Sequence, residues 1–174
     1  MKKLIVLICA LTVATACQQK ETRYTQQSPE IDTVKKLIAE YNAKDYSMEF
    51  MADTAKTYFN SKVPMSKSEL MNYHKDNDAN YSKRGFLDED QEYEMVVTDD
   101  GETWVNCWLD WQCTIAKTGK VIDMPVHLTY RFVDGKVVTQ YGYWDPTEVV
   151  LEMMAIEEKE NAAAEASMMD EDES

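Results

Sequence analysis

The apolar residues of the chain recur at helical spacing in its first half and alternate in its second half. A helix is predicted to begin at Ser28-Pro29, because proline suits the first turn of a helix. One face of this helix carries Ile31, Val34, Leu37, Ile38 and Tyr41. A shorter helical stretch over about 46–51 and an extended piece over 55–59 follow. The capping-box pattern Ser66-Lys-Ser-Glu69 then predicts a third helix through about residue 82.

From residue 86 the apolar period is two, which is typical of strands. Turn signals at Asp100-Gly101, Thr118-Gly119 and Asp134-Gly135 separate the strand-like runs. The predicted strands cover about 87–98, 103–116, 121–133 and 136–145. Short turns between successive strands predict an antiparallel meander, and a final helix is predicted to begin near Pro146. The fold class is therefore α+β, with the helices packed on one face of the sheet.

The turns also predict which residues face the helices. If the last two turn dipeptides form two-residue loops, Val105 lies opposite Phe132 and Leu128 lies opposite Tyr141. Nearly all residues of the resulting face are apolar, which supports this register. Its aromatic residues, with one tyrosine of the first helix, are candidates for lining a ligand cavity or for forming the core. These candidates are Tyr41, Trp111, Tyr130, Tyr141 and Tyr143.

The opposite face of the predicted sheet is more aromatic than a solvated face normally is. Large exposed apolar patches usually mark interaction surfaces, so we expect a homodimer or partner interface there. The same register places His127 opposite Asp110, and no serine or cysteine nucleophile lies beside them, so we interpret them as a cross-strand pair. The predicted interface residues are Trp104, Trp108, Asp110, His127 and Arg131.

Residues 1–16 have the pattern of an export signal. Two lysines precede an apolar run over 4–13 that is too short for a permanent transmembrane helix. The segment Ala14-Thr15-Ala16-Cys17 resembles the lipobox of bacterial lipoproteins, although leucine is commoner where Ala14 stands. The resemblance implies cleavage before Cys17, multiple acylation of that cysteine, and anchoring to the cell envelope, facing the periplasm or the exterior. An ordinary signal peptide followed by a chance cysteine is the alternative.

Polarity and charge give the remaining boundaries. Residues 17–29 are predicted to form a flexible tether, residues 30–155 the folded domain, and residues 156–174 an acidic tail without an apolar face. The chain has a net charge of −14 at pH 7. This charge argues against nucleic-acid binding and against electrostatic adhesion to anionic lipid. Attachment to the membrane is therefore expected to depend on the acyl anchor.

The cysteines and histidines predict neither a disulfide nor a metal site. Cys107 and Cys113 lie in one predicted strand, about 20 Å apart at ~3.3 Å per residue. A disulfide requires Cα atoms within about 7 Å, so we expect two buried free thiols. The two histidines lack ligand spacing, and no metal or cofactor is expected.

Three stretches of the chain resemble the NTF2-like superfamily, in its SnoaL-like branch. Ala43-Lys-Asp45 with Phe50-Met-Ala-Asp53-Thr-Ala55 is similar to the opening of that family. Arg131-Phe-Val-Asp-Gly-Lys-Val137 is similar to its late hairpin, and Tyr143-Trp144-Asp145-Pro146 resembles the end of its last strand. The resemblance covers roughly 30–155. It implies an NTF2-like cone: about three N-terminal helices and a C-terminal helix, a curved antiparallel sheet, an apolar cavity between them, and frequent dimers.

Asp145 is the candidate catalytic residue. The predicted register turns it towards the helices with Tyr143, where an apolar cavity edge would raise the pKa of its carboxyl towards that of a general base. The resemblance to SnoaL-like cyclases points to the same residue. Alternatively, Asp145 caps the helix that begins near Pro146. The base of the ketosteroid-isomerase version would fall near Tyr58-Phe59-Asn60, where no acid stands.

The favoured hypothesis is a lipid-anchored, non-catalytic domain that binds a small apolar or mixed ligand or a partner protein. It follows from the lack of a recognisable nucleophile, metal cluster or phosphate loop. A SnoaL-like enzyme of the cyclase, isomerase or hydratase type, with Asp145 as general base, is the first alternative. An envelope assembly or structural protein, acting through its tryptophan-bearing face, is the second.

Overall fold

The computed structural model describes residues 22–172. The predicted export signal and Cys17 lie outside the described residues. The helices are α1 (Pro29–Asn42), α2 (Lys67–Asp78) and α3 (Thr147–Asp172). The strands are β1 (Tyr24–Thr25), β2 (Met51–Phe59), β3 (Met65–Ser66), β4 (Tyr81–Phe86), β5 (Glu92–Val97), β6 (Thr103–Ile115), β7 (Val121–Val133) and β8 (Lys136–Trp144). The described chain is therefore α+β, as predicted.

The strands form one mixed, open sheet in the order β1-β5-β6-β7-β8-β2-β3. Both β4 and β5 pair with the edge of β6 that faces away from β7. The predicted antiparallel meander is confirmed, because β5, β6, β7 and β8 pair successively in that way. The prediction of a wholly antiparallel sheet is wrong, since β2 runs parallel to β8. That pairing joins segments far apart in sequence, which no local turn signal reports.

Capping explains where the first two helices begin. The Ser28 side chain accepts a hydrogen bond from the backbone N–H of Ile31 at 3.2 Å, and proline follows in the first turn of α1. The predicted capping box of α2 is present, with Ser66 and Glu69 bonded reciprocally. However, α2 ends at Asp78 rather than near residue 82.

The predicted helical stretch over 46–51 is wrong. Residues 45–48 have no regular structure, a turn follows, and β2 begins at Met51. Met48 has a φ of 49°, in the left-handed region that a right-handed helix excludes. Two helices therefore precede the antiparallel meander within residues 22–172, instead of the predicted three.

The register between β6 and β7 differs from the prediction by two residues. Val105 pairs with Tyr130 rather than with Phe132. The reason is the connection: residues 116–120 join the two strands, so Thr118-Gly119 is not a two-residue loop. Because side chains alternate with a period of two, this shift leaves each of these residues on its predicted face.

Part-way along the β7–β8 pair, the side chains of β8 switch from one face of the sheet to the other. The predicted two-residue loop Asp134-Gly135 is confirmed by the Val133–Lys136 pair that closes it and by positive φ values at both loop residues. Beyond Phe132 and Val137, however, the next pair is Arg131 with Thr139, so β8 contains one extra residue. This β-bulge reverses the facing of the rest of β8.

The two ends of the described chain are more regular than predicted. β1 pairs with β5 inside the predicted tether over 17–29. α3 continues through the predicted acidic tail as far as Asp172. Ile156 is the buried residue of α3 that anchors it to the core.

The core lies between the helices and the inner face of the sheet. Cys107 and Cys113 belong to it as free, buried thiols, which confirms that prediction. Among residues 22–172, none of the helices has the length and the apolar character that crossing a membrane requires.

Candidate functional site

A cavity of about 280 Å³ lies between the inner face of the sheet, helices α1 and α2, and the start of α3. Its walls are mainly apolar and aromatic. The apolar and aromatic lining residues include Leu37, Ile38, Tyr41, Met48, Met51, Phe59, Leu70, Tyr73, Phe86, Trp111, Met124, Val126, Leu128, Tyr130 and Trp144. The polar lining residues are Gln140 of β8 and a group on α1, α2, β4 and the segment after α1: Glu40, Asp45, Tyr46, His74, Asn77, Asp78 and Arg84. The cavity therefore has a largely apolar body with a polar corner between α1, α2 and β4.

Arg84 of β4 is the centre of the polar corner. Its side chain is 1% exposed, and its Nε donates to Asp78 Oδ1 at 2.7 Å. The guanidinium also donates to the Tyr41 carbonyl and the Tyr46 hydroxyl, and lies 3.8 Å from the Tyr41 ring centroid. A buried charge is tolerated only when it is paired and hydrogen-bonded. These contacts neutralise Arg84 and leave its planar face against an aromatic ring.

The pKa values of the groups bonded to Arg84 are shifted in the directions that this pairing requires. Burial by itself would raise the pKa of Asp78, but hydrogen bonds from Arg84 and Tyr46 and the positive charge of Arg84 together lower it. Burial, and the hydrogen bond that Tyr46 donates to Asp78, raise the pKa of the Tyr46 phenol to about 12. The contacts of Arg84 therefore bring together one carboxylate, one guanidinium and a neutral phenol.

His74 of α2 is the other titratable group of the corner. Its ring packs against those of Tyr41, Tyr73 and Phe59, with centroid distances of 5.0, 5.5 and 6.1 Å. Burial, and then the charge of Arg84, lower the pKa of His74 to about 4. Its imidazole is consequently neutral at pH 7. Among the described residues it has no hydrogen-bond partner, so one donor and one acceptor are open to a bound molecule.

Three of the predicted cavity residues do line the cavity: Tyr41, Trp111 and Tyr130. Trp111 Nε1 donates to the Tyr41 hydroxyl at 2.9 Å, which fixes both rings. The buried Tyr130 hydroxyl accepts from Gln140 Nε2 at 3.3 Å. Buried indole and phenol groups usually find such partners, and here the partners come from the cavity wall itself.

The predictions for Tyr141 and Tyr143 are wrong in their placement. The bulge in β8 turns both side chains to the outer face, where Tyr141 stacks on Tyr58 at 4.8 Å between ring centroids. Tyr143 is 51% exposed. Gln140, Gly142 and Trp144 take the inward positions instead.

Asp145 lies outside the cavity, and the expectation that its pKa is raised at an apolar edge is wrong. The residue is exposed at the start of α3. Its Oδ1 accepts hydrogen bonds from the Thr147 backbone N–H at 3.0 Å and from the Thr147 hydroxyl. These hydrogen bonds lower the pKa of its carboxyl. This geometry agrees with the alternative interpretation, in which Asp145 caps the last helix.

The predicted interface residues share the outer face of the sheet. Trp104 pairs with Arg131, and Arg131 Nη1 lies 2.7 Å from Glu102 Oε1. His127 lies opposite Trp108, with ring centroids 5.0 Å apart, rather than opposite Asp110. The two-residue register shift explains this correction. Self-association through this face stays a prediction.

Several polar residues of the cavity were not recognised from the sequence, among them Tyr46, His74, Asp78 and Arg84. His74 and Asp78 follow Leu70 at intervals of four residues, which puts them on the same helix face as a buried leucine. That spacing was a usable signal. Arg84 offered none, because it lies between the predicted third helix, which ran through about residue 82, and the first predicted strand, which began at about residue 87.

The described residues contain no group of three or more histidine, cysteine or acidic side chains that could hold a metal ion. No protein-family profile matches the chain. No curated protein matches it in sequence either. Its resemblance to known proteins therefore rests on the arrangement of the helices and strands.

Several solved structures have the same fold. A candidate polyketide cyclase from Xanthomonas campestris pv. campestris is 13% identical, with a TM-score of 0.61 over 73% of this chain and 98% of that one. An NTF2-like protein of unknown function from Burkholderia pseudomallei is 12% identical, with a TM-score of 0.57 over 71% and 96%. A SnoaL-like polyketide cyclase from Agrobacterium tumefaciens is 14% identical, with a TM-score of 0.53 over 73% and 98%. The chain has the fold of the NTF2-like and SnoaL-like proteins.

Proposed function

We propose that the domain binds a small, largely apolar molecule with one hydrogen-bonding group in the cavity between its helices and sheet, without covalent chemistry. The cavity itself carries the proposal: about 280 Å³, walled by apolar and aromatic side chains. Ligand sites are typically concave, mainly apolar, and equipped with a few placed polar groups. This volume is near the lower end of their range, which favours a small ligand.

The polar corner favours a neutral ligand over an anionic one. Arg84 is already paired with Asp78, and the lowered pKa of His74 keeps its imidazole uncharged at pH 7. Glu40 and Asp45 also line the cavity, and Glu40 Oε2 is buried without a hydrogen-bond partner among the described residues. An anionic ligand would therefore lose its hydration without gaining an unpaired positive charge. A hydroxyl or carbonyl group, in contrast, can bond to the open imidazole of His74.

Native mass spectrometry of the protein purified from its own organism tests the proposal directly. A retained small molecule of neutral, mainly apolar character is the expected result, and its mass identifies its chemical class. A retained charged metabolite would contradict the proposed selectivity.

A probe experiment tests the cavity even if the natural ligand is lost on purification. 2-Naphthol is expected to bind more tightly than naphthalene, because only 2-naphthol can bond to His74. His74→Phe should remove that difference. Tyr24→Phe, a change on the exposed strand β1, is the matched control and should leave it intact. Equal affinity for the two probes in the unmodified protein would contradict the polar contact.

Gly142 provides an independent way to alter the cavity. A Cβ atom there would lie 2.8 Å from a Phe59 ring carbon and 2.9 Å from side-chain atoms of Leu128 and Trp144. All three neighbours line the cavity, so Gly142→Ala must push side chains into it. We expect weaker binding of both naphthalene probes. Unchanged affinity in a folded Gly142→Ala variant would place the probes elsewhere.

We also propose that the chain is exported and lipid-anchored through Cys17. The support is the sequence of residues 1–17: a basic start, a short apolar run and small residues before the cysteine. Mass spectrometry of the N-terminal peptide from cell envelopes should find acylated Cys17. Cys17→Ser should release the protein from the membrane fraction, and an unmodified N-terminus would contradict the proposal.

A general-base role for Asp145 is not proposed for this chain. Several structural neighbours are described as SnoaL-like polyketide cyclases, which is compatible with an enzyme at the level of the fold alone. Here, however, the Asp145 carboxylate is exposed, bonded to Thr147 and absent from the cavity wall. A general base must reach the proton that it abstracts.

A further inference from the structure

A second pocket opens on the opposite side of the sheet, and its chemistry differs from that of the cavity. We name it the outer pocket; it has a volume of about 280 Å³. Aromatic rings from three adjacent strands and acidic side chains around them form its walls. The residues that carry the argument are Trp108, His127, Tyr143, Asp90, Glu92 and Asp110.

The aromatic rings form a continuous row across the sheet. Trp108 pairs with His127, and His127 pairs with Tyr143, on the neighbouring strands β6, β7 and β8. The ring centroids are 5.0 Å apart in the first pair and 6.4 Å apart in the second. Trp108 is 44% exposed and Tyr143 is 51% exposed, so their ring surfaces are accessible. Exposed aromatic faces carry a negative quadrupole that attracts cations, most strongly for tryptophan.

The acidic side chains add net negative charge to the same place. Among the described residues, Asp90, Glu92 and Asp110 form no salt bridge, and Glu92 lies directly opposite Trp108 on β5. The neighbouring part of this face behaves differently, because Arg131 there is paired with Glu102. The outer pocket thus combines aromatic faces with carboxylates that lack a cation. In addition, His127 Nδ1 is buried without a hydrogen-bond partner.

We propose that the outer pocket binds a small organic cation, an ammonium group carrying methyl or alkyl substituents, with the cation over Trp108. Aromatic rings accommodate the apolar substituents, and the three carboxylates supply the charge complement. An inorganic cation fits less well, because the carboxylates of the described residues are not grouped closely enough to hold a metal ion. Since the pocket is open to water, the affinity is modest and falls as the ionic strength rises.

Titration calorimetry of the full chain with choline and with its neutral carbon isostere, 3,3-dimethyl-1-butanol, tests the charge requirement. Choline should bind at least about tenfold more tightly than the isostere. Added salt should weaken choline binding and leave the isostere unaffected. Equal affinities for the two compounds, or no saturable choline binding, would overturn the proposal.

Two variants test the residues, with circular dichroism to verify folding. Trp108→Ala should reduce choline affinity by about tenfold, and Asp110→Asn by a few-fold. Trp104→Ala is the matched control, because Trp104 lies on the same face of β6 but roughly 13 Å away; it should leave affinity unchanged. If all three variants bind choline equally, the proposal fails.

Sedimentation velocity distinguishes the cation site from the predicted dimer interface. Choline binding by a protein whose outer pocket is not covered by a second copy of the chain supports the proposal. A dimer that Trp108→Ala dissociates, in a protein that binds no choline, would overturn it and assign this face to self-association.

Discussion

The two faces of the sheet use similar residues in different ways. The cavity side combines tyrosines and two tryptophans with His74, Asp78 and Arg84, while the outer pocket combines aromatic rings with His127 and three acidic residues. In the cavity the carboxylate of Asp78 is paired with a buried guanidinium. In the outer pocket the carboxylates have no such partner within the described chain, and water hydrates them.

This difference follows from the cost of removing charge from water. A buried ion requires a partner, so the structure of the polar corner is constrained by its own charges. An exposed carboxylate needs none, and it stays available to bind something else. Two aromatic, histidine-containing sites therefore favour different ligands: a neutral molecule inside and a cation outside.

Removing the buried cation should have the largest effect. Arg84→Met removes the guanidinium that pairs with Asp78 and donates to the Tyr41 carbonyl, and leaves Asp78 with the Tyr46 hydroxyl as a donor. We therefore expect the free energy of unfolding to fall by about 3 kcal/mol or more. Urea denaturation measures it. Arg131→Met is the matched change on the outer face, where Arg131 is 34% exposed beside Glu102; it should cost far less. Equal losses from both variants would contradict the contrast between the two faces.

The pH dependence of stability should identify His74. Its pKa is about 4 in the folded chain against an ordinary value of 6.5, so between these pH values the unfolded chain binds more protons than the folded one. Stability contributed by neutral His74 is therefore complete above pH 6.5 and is lost as pH falls towards 4. The slope reaches about 1.4 kcal/mol per pH unit.

Two histidine variants separate this contribution from those of the other groups. Denaturation of His74→Phe over the same pH range should show a smaller slope, because the residue that titrates has been removed. His127→Phe, on the outer face, should retain the slope of the unmodified chain. An unchanged slope in His74→Phe would refute the assignment.

The smallest effect is expected at Asp145. Asp145→Ala removes the acceptor for two Thr147 hydrogen bonds and should lower the melting temperature by a few degrees, while Asp145→Asn, a good capping residue, should lower it less. Binding of 2-naphthol should be unaffected, because Asp145 does not line the cavity. A loss of 2-naphthol binding in Asp145→Asn would show that Asp145 belongs to the ligand site.

Local patterns were sufficient for the elements whose causes are local. The start of α1 at Ser28-Pro29, the capping box of α2, the Asp134-Gly135 loop and the inward face of β6 were all predicted from neighbouring residues. The face of β6 was predicted correctly even though its pairing was displaced, because a shift of two residues keeps each side chain on the same side.

The site was predicted only in part. Tyr41, Trp111 and Tyr130 lie where expected, because alternation or helical spacing sets their facing. Tyr141 and Tyr143 do not, because the single extra residue in β8 reverses the alternation, and the sequence around Val138 gave no signal of a bulge. Asp145 comes directly after that strand, so its expected position depended on the same alternation.

The sequence by itself determined the α+β class, the apolar inner face and the two hairpin-connected strands that carry most of the core, since these follow from periodicity and turn chemistry. The tertiary structure decided the parallel pairing of β2 with β8, the bulge, and the meeting of Arg84 with Asp78 and Tyr46. Each of these joins parts of the chain whose approach is governed by packing rather than by adjacent residues. In the polar corner, a guanidinium and a carboxylate that are removed from water stabilise each other. Their removal from water is a property of the folded chain, so the sequence alone does not report it.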